Sequence, residues 1–310
     1  MNHDGGPAAY AATKIIATWP KGSFAENLTI DGAGSIFVTL HTDRAVVNVD
    51  PTTGIVKPFA VFDQPVAGLA LAHDGSLFVS GGQPGMTPGV IWQADPDGSV
   101  RRIATLPDAA FLNGMTPHSD GHRMLVADSI GGVVYALDPA TGLFEPWLAD
   151  DRMKPLGGDM TPGVNGVKLY DGHVYVSVTA RDAIFRAPVG PDGAPGPLEI
   201  VAANLRADDF AIDVEGNLYI ATHPANSLVR LAPNGDRATL ATADHGLLCA
   251  TAVAFGRTAL DDRSVYVTTT GGTMVLPSEQ GEPAKLVRVD VGAVGHPLLA
   301  ADQPQTAKTS

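Results

Sequence analysis

Two carboxylates and two carboxamides occupy the same position in different copies of an internal repeat. The six copies, at intervals of 41, 46, 52, 43 and 43 residues, place these residues there: Glu26, Ala67, Asn113, Asn165, Asp208 and Thr251. Carboxylate and carboxamide oxygens are the ligands of hard divalent cations, and calcium takes about six to eight of them. Two carboxylates would neutralise a divalent ion, and the amides would add donors without excess charge. The pattern therefore predicts a cation site, provided that the fold brings the copies to one axis.

A simpler explanation exists for two of these positions. Asn113-Gly114 and Asn165-Gly166 match the commonest two-residue signal for a β-hairpin turn. Each of these copies already has a turn glycine seven to eight residues later, so we favour the cation site. Zinc is a less expected occupant than calcium, because zinc prefers histidine and cysteine ligands.

The elements that must position these residues are short strands. Stretches such as SLFVS, HVYVSV and SVYVTT alternate in the manner of strands. Turn glycines at positions 34, 75, 121, 172 and 216 recur at intervals of 41, 46, 51 and 44 residues. This super-period predicts an all-β fold, a β-propeller with four-stranded antiparallel blades around a central channel. Two β-sandwiches need no fixed period, and the repeats of a β-helix are about half as long.

Six copies predict a six-bladed β-propeller that forms a single domain over residues 1–310. We expect the blades to begin near residues 26, 67, 113, 165, 208 and 251. The N-terminal strand is expected to close the last blade, because this pairing removes an exposed sheet edge. The first residue of each innermost strand would then point into the mouth of the channel. The polar tail, residues 300–310, is expected to be disordered.

Composition restricts the possible partners. The chain has 20 Lys and Arg against 33 Asp and Glu, a net charge of −13, which disfavours nucleic acid and anionic membranes. The 35 glycines and 24 prolines argue against a helix bundle, and the single Cys249 excludes an intrachain disulfide. The sequence shows neither a signal peptide nor a membrane span. We expect a cytoplasmic protein, monomer or homodimer, with a small-molecule substrate.

Loop residues after the second strand of each blade are expected to surround the same mouth. His223 and His41 are candidates for a proton shuttle, because histidine titrates near neutral pH; either could instead be a structural histidine. Candidate substrate contacts are Ser129, Thr179 and Arg181, although Asp182 could satisfy Arg181 locally. Two further side chains are expected to line an apolar wall of the pocket: Met86 and Phe111.

Three motifs carry a resemblance to a known family. They are NG-x-x-x-x-SDG-x-x-x-x-VADS-x-x-G-x-VY over Asn113–Tyr135, DDFAIDVEGNLYIA over Asp208–Ala221 and TAVAFG over Thr251–Gly256. In this blade order, they resemble the senescence-marker-protein/gluconolactonase family, the regucalcin-like six-bladed propellers. The resemblance covers roughly residues 20–290.

The resemblance implies one divalent metal at the mouth, commonly calcium, with zinc, magnesium or manganese accepted in some members. It implies that Glu26, Asn165 and Asp208 are metal ligands and that Asn113 is a ligand or a substrate contact. The implied reaction is hydrolysis of a lactone or related ester, with Asp208 holding or deprotonating the attacking water.

Two departures from the family pattern bear on the substrate. Glu26 stands in ENL instead of the usual Glu-Gly-Pro, and Phe111-Leu112 replaces the arginine of sugar lactonases. A substrate less polar than a sugar lactone is therefore expected. Cyclisation, condensation or isomerisation in the same pocket, or metal binding without catalysis, are the alternative functions, since fold alone does not fix chemistry.

Overall fold

The computed structural model describes residues 10–72, 74–83, 87–157 and 161–297. It is a six-bladed β-propeller in which each blade is a four-stranded antiparallel sheet, as the sequence predicts. Helix is confined to three 3₁₀ turns within the described residues: Asp151–Met153, Thr179–Arg181 and Ala243–His245. None of them is long or apolar enough to cross a membrane. Met86 and the tail from residue 300 lie outside the described residues.

The strands follow one another from the channel outwards in each blade. Strand β1 (Thr13–Trp19) precedes the first complete blade, which consists of β2 (Ala25–Ile30), β3 (Ile36–Leu40), β4 (Ala45–Val49) and β5 (Val56–Val61). The second blade consists of β6 (Val66–Leu71), β7 (Leu77–Gln83), β8 (Thr87–Ala94) and β9 (Val100–Leu106). The third consists of β10 (Leu112–Pro117), β11 (Met124–Asp128), β12 (Val133–Leu137) and β13 (Phe144–Ala149).

The remaining blades repeat this order. The fourth consists of β14 (Val164–Tyr170), β15 (His173–Val178), β16 (Ala183–Pro188) and β17 (Glu199–Ala202). The fifth consists of β18 (Phe210–Ile212), β19 (Leu218–Thr222), β20 (Ser227–Leu231) and β21 (Arg237–Thr242). The sixth consists of β22 (Ala250–Phe255), β23 (Ser264–Thr269), β24 (Ala284–Asp290) and, outermost, β1.

The ring is closed by pairing between the two ends of the chain. Strand β1 runs antiparallel to β24, with Thr13 opposite Val289 and Trp19 opposite Ala284. This is the closure that the sequence predicts. It gives the sixth blade its fourth strand and covers the edge that β24 would otherwise expose.

Apolar side chains fill the spaces between neighbouring blades. The cluster between the sixth and first blades includes Trp19, Ile36 and Leu286, and the cluster between the first and second includes Phe62 and Trp92. Alternating residues of each strand supply these cores, because successive strand residues face opposite sides of the sheet. The turn glycines predicted from the repeat all have positive φ, which glycine tolerates best: Gly34, Gly75, Gly121, Gly172 and Gly216.

Five of the six innermost strands are irregular at the position where the sequence repeat aligns. Register shifts occur between Ala25 and Leu28 in β2, and at the corresponding places in β6, β10, β14 and β22. A β-bulge puts two residues opposite one and redirects their side chains. Asn113-Gly114 and Asn165-Gly166 therefore lie in bulges at the channel and do not form hairpin turns.

Buried hydroxyl groups fix these bulges to the neighbouring blade. Thr39 Oγ1 donates to the carbonyl of Ala67 at 2.7 Å, and Ser80 Oγ donates to that of Asn113 at 2.6 Å. Ser177 Oγ donates in the same way to the carbonyl of Asp208. The hydroxyls of Thr39 and Ser80 also accept from backbone N–H groups of their own bulges. The bulge residues are thus held between two blades, which gives their side chains a defined direction.

Candidate active site at the channel mouth

The bulges bring the four predicted donor residues together at one end of the channel, which we call the mouth. Glu26, Asn113, Asn165 and Asp208 are all buried, with 8%, 1%, 3% and 6% of their surfaces exposed. Asn165 Nδ2 donates to Asp208 Oδ1 at 2.6 Å, which links the fourth and fifth blades. The other two leading positions contribute no donor to the mouth. Ala67 has only a methyl group, and Thr251 Oγ1 donates to the carbonyl of Ala25 at 2.7 Å.

The two carboxyl groups are destabilised as anions. Burial raises the pKa of Glu26 to about 7, and the negative charge of Asp209 adds to the rise. Burial also raises the pKa of Asp208 well above its usual range, and the negative charges of Glu26 and Asp209 add to this rise. Asn113 lies beside Glu26 and limits the rise, although its Nδ2 makes no well-directed hydrogen bond. Such a site favours either protons or a cation.

A third carboxylate, Asp209, lies close enough to act electrostatically on both Glu26 and Asp208, and it was not anticipated from the sequence. Lys168 Nζ donates to Asp209 Oδ1 and Oδ2 at 2.6 and 2.8 Å, and Asn27 Nδ2 donates to Oδ2 at 3.2 Å. Gly166 leaves the space for it, because a Cβ there would lie 2.3 Å from Asp209 Oδ1. Period-two alternation would turn Asp209 away from Asp208. Just before β18, however, both residues pair with Ala221: the N–H of Asp208 donates to the Ala221 carbonyl at 2.9 Å, and the N–H of Ala221 donates to the Asp209 carbonyl at 3.0 Å, a bulge-like arrangement of two residues opposite one.

Thr179 supports Asn165 from behind. Its hydroxyl donates to the carbonyl of Ala207 at 2.8 Å and accepts from Asn165 Nδ2 at 3.2 Å. The hydroxyl proton is thereby committed within the protein, and 4% of the residue is exposed. The structure gives Thr179 a role in orienting Asn165, and its predicted substrate contact stays a prediction.

Both candidate histidines lie at the mouth. His223 Nδ1 is 3.8 Å from Asp208 Oδ2, and its buried Nε2 has no hydrogen-bond partner among the described residues. Burial, and then the positive charge of Arg206, lower the pKa of His223 to about 4. His41 Nδ1 donates to the carbonyl of Val66 at 2.9 Å, which leaves Nε2 as the acceptor, and burial lowers its pKa as well. Both imidazoles are therefore neutral near pH 7, the form that can accept a proton.

Two other predicted substrate contacts have different surroundings. Ser129 is fully buried, and its Oγ has no hydrogen-bond partner among the described residues. Arg181 is exposed and donates to the carbonyl of Asp151 at 3.2 Å, and Asp182 pairs with Arg206 instead. The suggestion that Asp182 satisfies Arg181 is therefore wrong, because the Asp182 carboxylate pairs with Arg206 and Arg181 binds the Asp151 carbonyl. Contacts from Ser129 and Arg181 to a substrate stay predictions.

Sequence reasoning also missed two residues around the mouth. Phe24 lies between the two histidines, with ring centroids 5.6 Å from His41 and 6.2 Å from His223. Arg206 approaches His223 closely enough to lower its pKa. Both residues lie two positions before the leading residue of their copy, Glu26 or Asp208, so the repeat contains a signal that could have selected them.

The donor chemistry at the mouth fits a divalent cation. Within the described residues, no group of three or more His, Cys, Asp or Glu side chains is arranged to hold a metal ion. The candidate set instead combines two carboxylates with two carboxamides, a mixture that suits calcium better than zinc. The unpartnered Nδ2 of Asn113 is consistent with this assignment, because a half-turn of the carboxamide exchanges Nδ2 for an acceptor oxygen.

Comparison with known proteins gives distant relatives by sequence. No protein-family model matches the chain. A proposed hetero-Diels-Alderase of Phoma sp is 23% identical over 312 residues, which cover 85% of this chain and 88% of that protein. A second proposed hetero-Diels-Alderase, from Sarocladium schorii, is 21% identical over 317 residues, covering 83% and 77%.

Solved structures share the fold. Regucalcin of Agrobacterium tumefaciens, described as a calcium-binding protein, has a TM-score of 0.69 and 16% identity, covering 92% of this chain and 96% of that one. A gluconolactonase of Xanthomonas campestris has a TM-score of 0.66 and 15% identity, covering 90% and 89%. A luciferin-regenerating enzyme has a TM-score of 0.70 and 14% identity, covering 92% and 97%. The neighbours are thus gluconolactonase and regucalcin propellers, and the fold that the motifs imply is confirmed.

Proposed function

We propose that this chain is an enzyme that opens a lactone or related ester at the mouth of the channel. One observation carries the proposal: Glu26 and Asp208, from opposite ends of the sequence, are buried near each other beside two carboxamides and a neutral histidine. A low-dielectric site with these groups can polarise a carbonyl and accept a proton, the two requirements of ester hydrolysis. The gluconolactonase among the structural neighbours supports the same reaction class.

The proposal includes one divalent cation held by Glu26, Asn113, Asn165 and Asp208, most simply calcium. A bound cation would polarise the substrate carbonyl and stabilise negative charge on its oxygen. The unfavourable burial of two like charges supports this occupancy, because a cation between the two carboxylates would compensate both negative charges. The calcium-binding regucalcin among the structural neighbours agrees with it.

The protein's own groups would handle the water and the proton. Asp208, oriented by the hydrogen bond from Asn165, would hold the attacking water near the mouth. His223 Nε2, which has no partner among the described residues, would accept the proton of that water. The imidazolium formed would lie 3.8 Å from Asp208 Oδ2, whose negative charge would stabilise it. His41 Nε2 is a second acceptor on the other side of Phe24.

The test is turnover of a panel of aliphatic and aromatic lactones in ¹⁸O-labelled water, with and without chelator. We expect ring-opened acids that have gained one labelled oxygen, loss of activity in EGTA and its return with calcium. A product with the elemental composition of the substrate would overturn hydrolysis. Full activity in EGTA after exhaustive dialysis would overturn the cation.

A second function is favoured by a specific finding, the two hetero-Diels-Alderase relatives that span most of the chain. In this alternative, the chain catalyses a ring-forming cycloaddition of a conjugated carbonyl compound. The protonated form of Glu26, whose pKa is about 7, would donate a hydrogen bond to the carbonyl oxygen. Such a reaction conserves the atoms of the substrate and needs no water. The same mass measurement therefore separates it from hydrolysis, with an unchanged product mass and chelator-resistant turnover as its signature.

A further inference from the structure

Four ring side chains contact one another in series around one side of the mouth. The ring centroids of His223 and Phe24 are 6.2 Å apart, those of Phe24 and His41 5.6 Å, and those of His41 and Phe111 6.1 Å. All four side chains are partly exposed. We call these four residues the aromatic arc. Edge and tilted contacts of this kind leave ring faces open to a further planar group.

The arc is held in place by the backbone around it. The N–H of His41 donates a hydrogen bond to the carbonyl of Phe24 at 2.8 Å. The N–H of Phe111 donates to the fully buried carboxylate of Asp128 at 3.1 Å, which also binds the following loop. The ring faces are therefore presented by loops whose main chain is fixed, as a preorganised binding surface requires.

The aromatic arc lies next to the carboxylates and carboxamides of the proposed reaction site. Phe24 precedes Glu26 by two residues, Phe111 precedes Asn113 by two, and His223 approaches Asp208. The arc also spans the two blades whose leading residues, Ala67 and Thr251, place no polar donor in the mouth. The rings thus lie on both sides of Glu26, whereas Asn113, Asn165 and Asp208 belong to the third, fourth and fifth blades.

A guanidinium group lies beside one end of the arc. Arg206 precedes Asp208 by two residues, as Phe24 precedes Glu26 and Phe111 precedes Asn113, and His223 Nδ1 is 3.8 Å from Asp208 Oδ2. The positive charge of Arg206 also acts on His223, and Arg206 Nε is 3.0 Å from Asp182 Oδ1 without forming a directed hydrogen bond. The side chains of Arg206 and Asp182 are 36% and 52% exposed. An ion pair this accessible to water is weakly held, so Arg206 can exchange Asp182 for a ligand anion at little cost. A planar guanidinium matches a carboxylate in particular.

From this arrangement, we infer that the substrate is a planar, conjugated or aromatic carbonyl compound that carries an anionic group. Its ring system lies against the aromatic arc, its anionic group pairs with Arg206, and its carbonyl oxygen faces Glu26 and Asp208. The part that concerns the carbonyl rests on the proposed function. Recognition of the ring and of the charge rests on the arc and Arg206 alone. A sugar lactone offers no conjugated face to the arc and is a poor match.

The test uses two fluorescent probes of the same shape, coumarin-3-carboxylate and uncharged coumarin, which is itself an aromatic lactone. Binding is measured by fluorescence titration in EDTA, so that no added cation can hold the carboxylate. The variants are Arg206→Gln, Arg206→Lys and Phe24→Leu. Arg237→Gln is the matched control, because Arg237 is an exposed arginine of the same blade that binds the carbonyls of Ala203 and Asn204.

We expect the protein to bind the carboxylate probe about tenfold more tightly than coumarin, a preference worth about 1.4 kcal/mol. Arg206→Gln should abolish that preference without weakening coumarin, and Arg206→Lys should retain part of it. Phe24→Leu should weaken both probes, and Arg237→Gln should weaken neither. Equal binding of the two probes, or an equal loss of both in Arg206→Gln, would overturn the inference.

The outcome is separable from that of the proposed function. Lactone hydrolysis without any preference for planar anions would leave the proposed function standing and overturn this inference. The expected binding preference without turnover of any lactone would do the reverse. Thermal unfolding of each variant identifies a folding defect. If Arg206→Gln does not fold, the comparison of the two probes is made with Arg206→Lys, which keeps the charge.

Discussion

The ammonium group of Lys168 is bound between the two oxygens of Asp209, at 2.6 and 2.8 Å, immediately below the channel mouth. Both side chains are largely buried, with 16% and 4% exposed. Lys168 also lines a cavity of about 60 Å³ at the other end of the channel, together with Leu28 and Phe255. The ion pair therefore separates the polar mouth from an apolar far end and compensates one of the three buried carboxylates.

Lys168→Met is expected to destabilise the protein by roughly 3–5 kcal/mol, because it leaves Asp209 charged, buried and without its cation. Urea unfolding followed by tryptophan fluorescence measures the change. The double variant Lys168→Met/Asp209→Asn should recover a large part of it, since no uncompensated charge remains. Equal stability of the single and double variants would show that the pair contributes little.

Glu26→Gln and Asp208→Asn are each expected to weaken calcium binding by roughly 100-fold and to abolish turnover, because each removes a charged ligand of the proposed site. Isothermal titration with calcium measures the first effect. Glu145→Gln serves as the matched control, since Glu145 is a surface carboxylate with 70% of its side chain exposed. Turnover with normal calcium affinity in either site variant would contradict the assignment.

His223→Gln is expected to lower kcat by about 10²–10⁴-fold, the usual contribution of a general base. KM and calcium affinity should change little, because His223 is not among the proposed ligands. The exposed His122 provides the comparison, and His122→Gln should behave as the unaltered protein does. A loss of calcium binding in His223→Gln would instead make His223 a ligand.

The stability of the cation-free protein should fall as the pH rises. The pKa of Glu26 is 4.5 in the unfolded chain and about 7 in the folded protein, so the folded state holds the proton more tightly. Protonation of Glu26 therefore stabilises the folded state fully below a pH of 4.5, the pKa of Glu26 in the unfolded chain, and this stabilisation is lost as the pH rises through about 7. It amounts to at most about 3 kcal/mol, since each tenfold change in proton affinity corresponds to about 1.4 kcal/mol.

Urea unfolding in EDTA between about pH 5 and pH 8 measures this dependence. Glu26→Gln should show a shallower slope, because glutamine does not titrate. Asp208, whose pKa is also raised, contributes in the same direction and should maintain part of the slope. Identical slopes in the two proteins would contradict the burial of an ionisable Glu26.

Ser80→Ala tests the hydroxyl groups that hold the bulges. The Ser80 Oγ accepts from the N–H of Gly68 and donates to the carbonyl of Asn113. Its removal leaves two buried backbone groups unsatisfied and should cost about 1–3 kcal/mol in the free energy of unfolding. Ser278→Ala, at an exposed serine, should cost nothing measurable. Equal stability of the two variants would show that water replaces the hydroxyl.

The architecture could be predicted from the sequence because it is periodic. Each blade repeats the same strand alternation, and each turn needs a glycine with positive φ, so Gly34 and Gly75 mark the repeat in the sequence as in the fold. The same periodicity selected Glu26 and Asp208. It could not show that a bulge lets Asp209 join them, because local alternation predicts the opposite face.

The roles of the residues two positions before each leading residue could not be derived in this way. Phe24 and Arg206 share that position, but the side chains there differ in type, and their contacts depend on loops whose paths are set by long-range packing. Asp182 was expected as a local partner of Arg181, but it pairs with Arg206, which follows by 24 residues. Spacing along the chain therefore located the four polar residues that the blades bring together at the mouth, and the contacts around them became visible only in the folded structure.

The pairing of β1 with β24 also makes the mouth depend on contacts at the outer rim of the ring. Glu26 and Asp208 belong to the first and fifth blades, and the sixth blade, which this pairing completes, packs between them. A substitution that loosens β1 from β24 should therefore weaken ligand binding without altering any residue of the mouth.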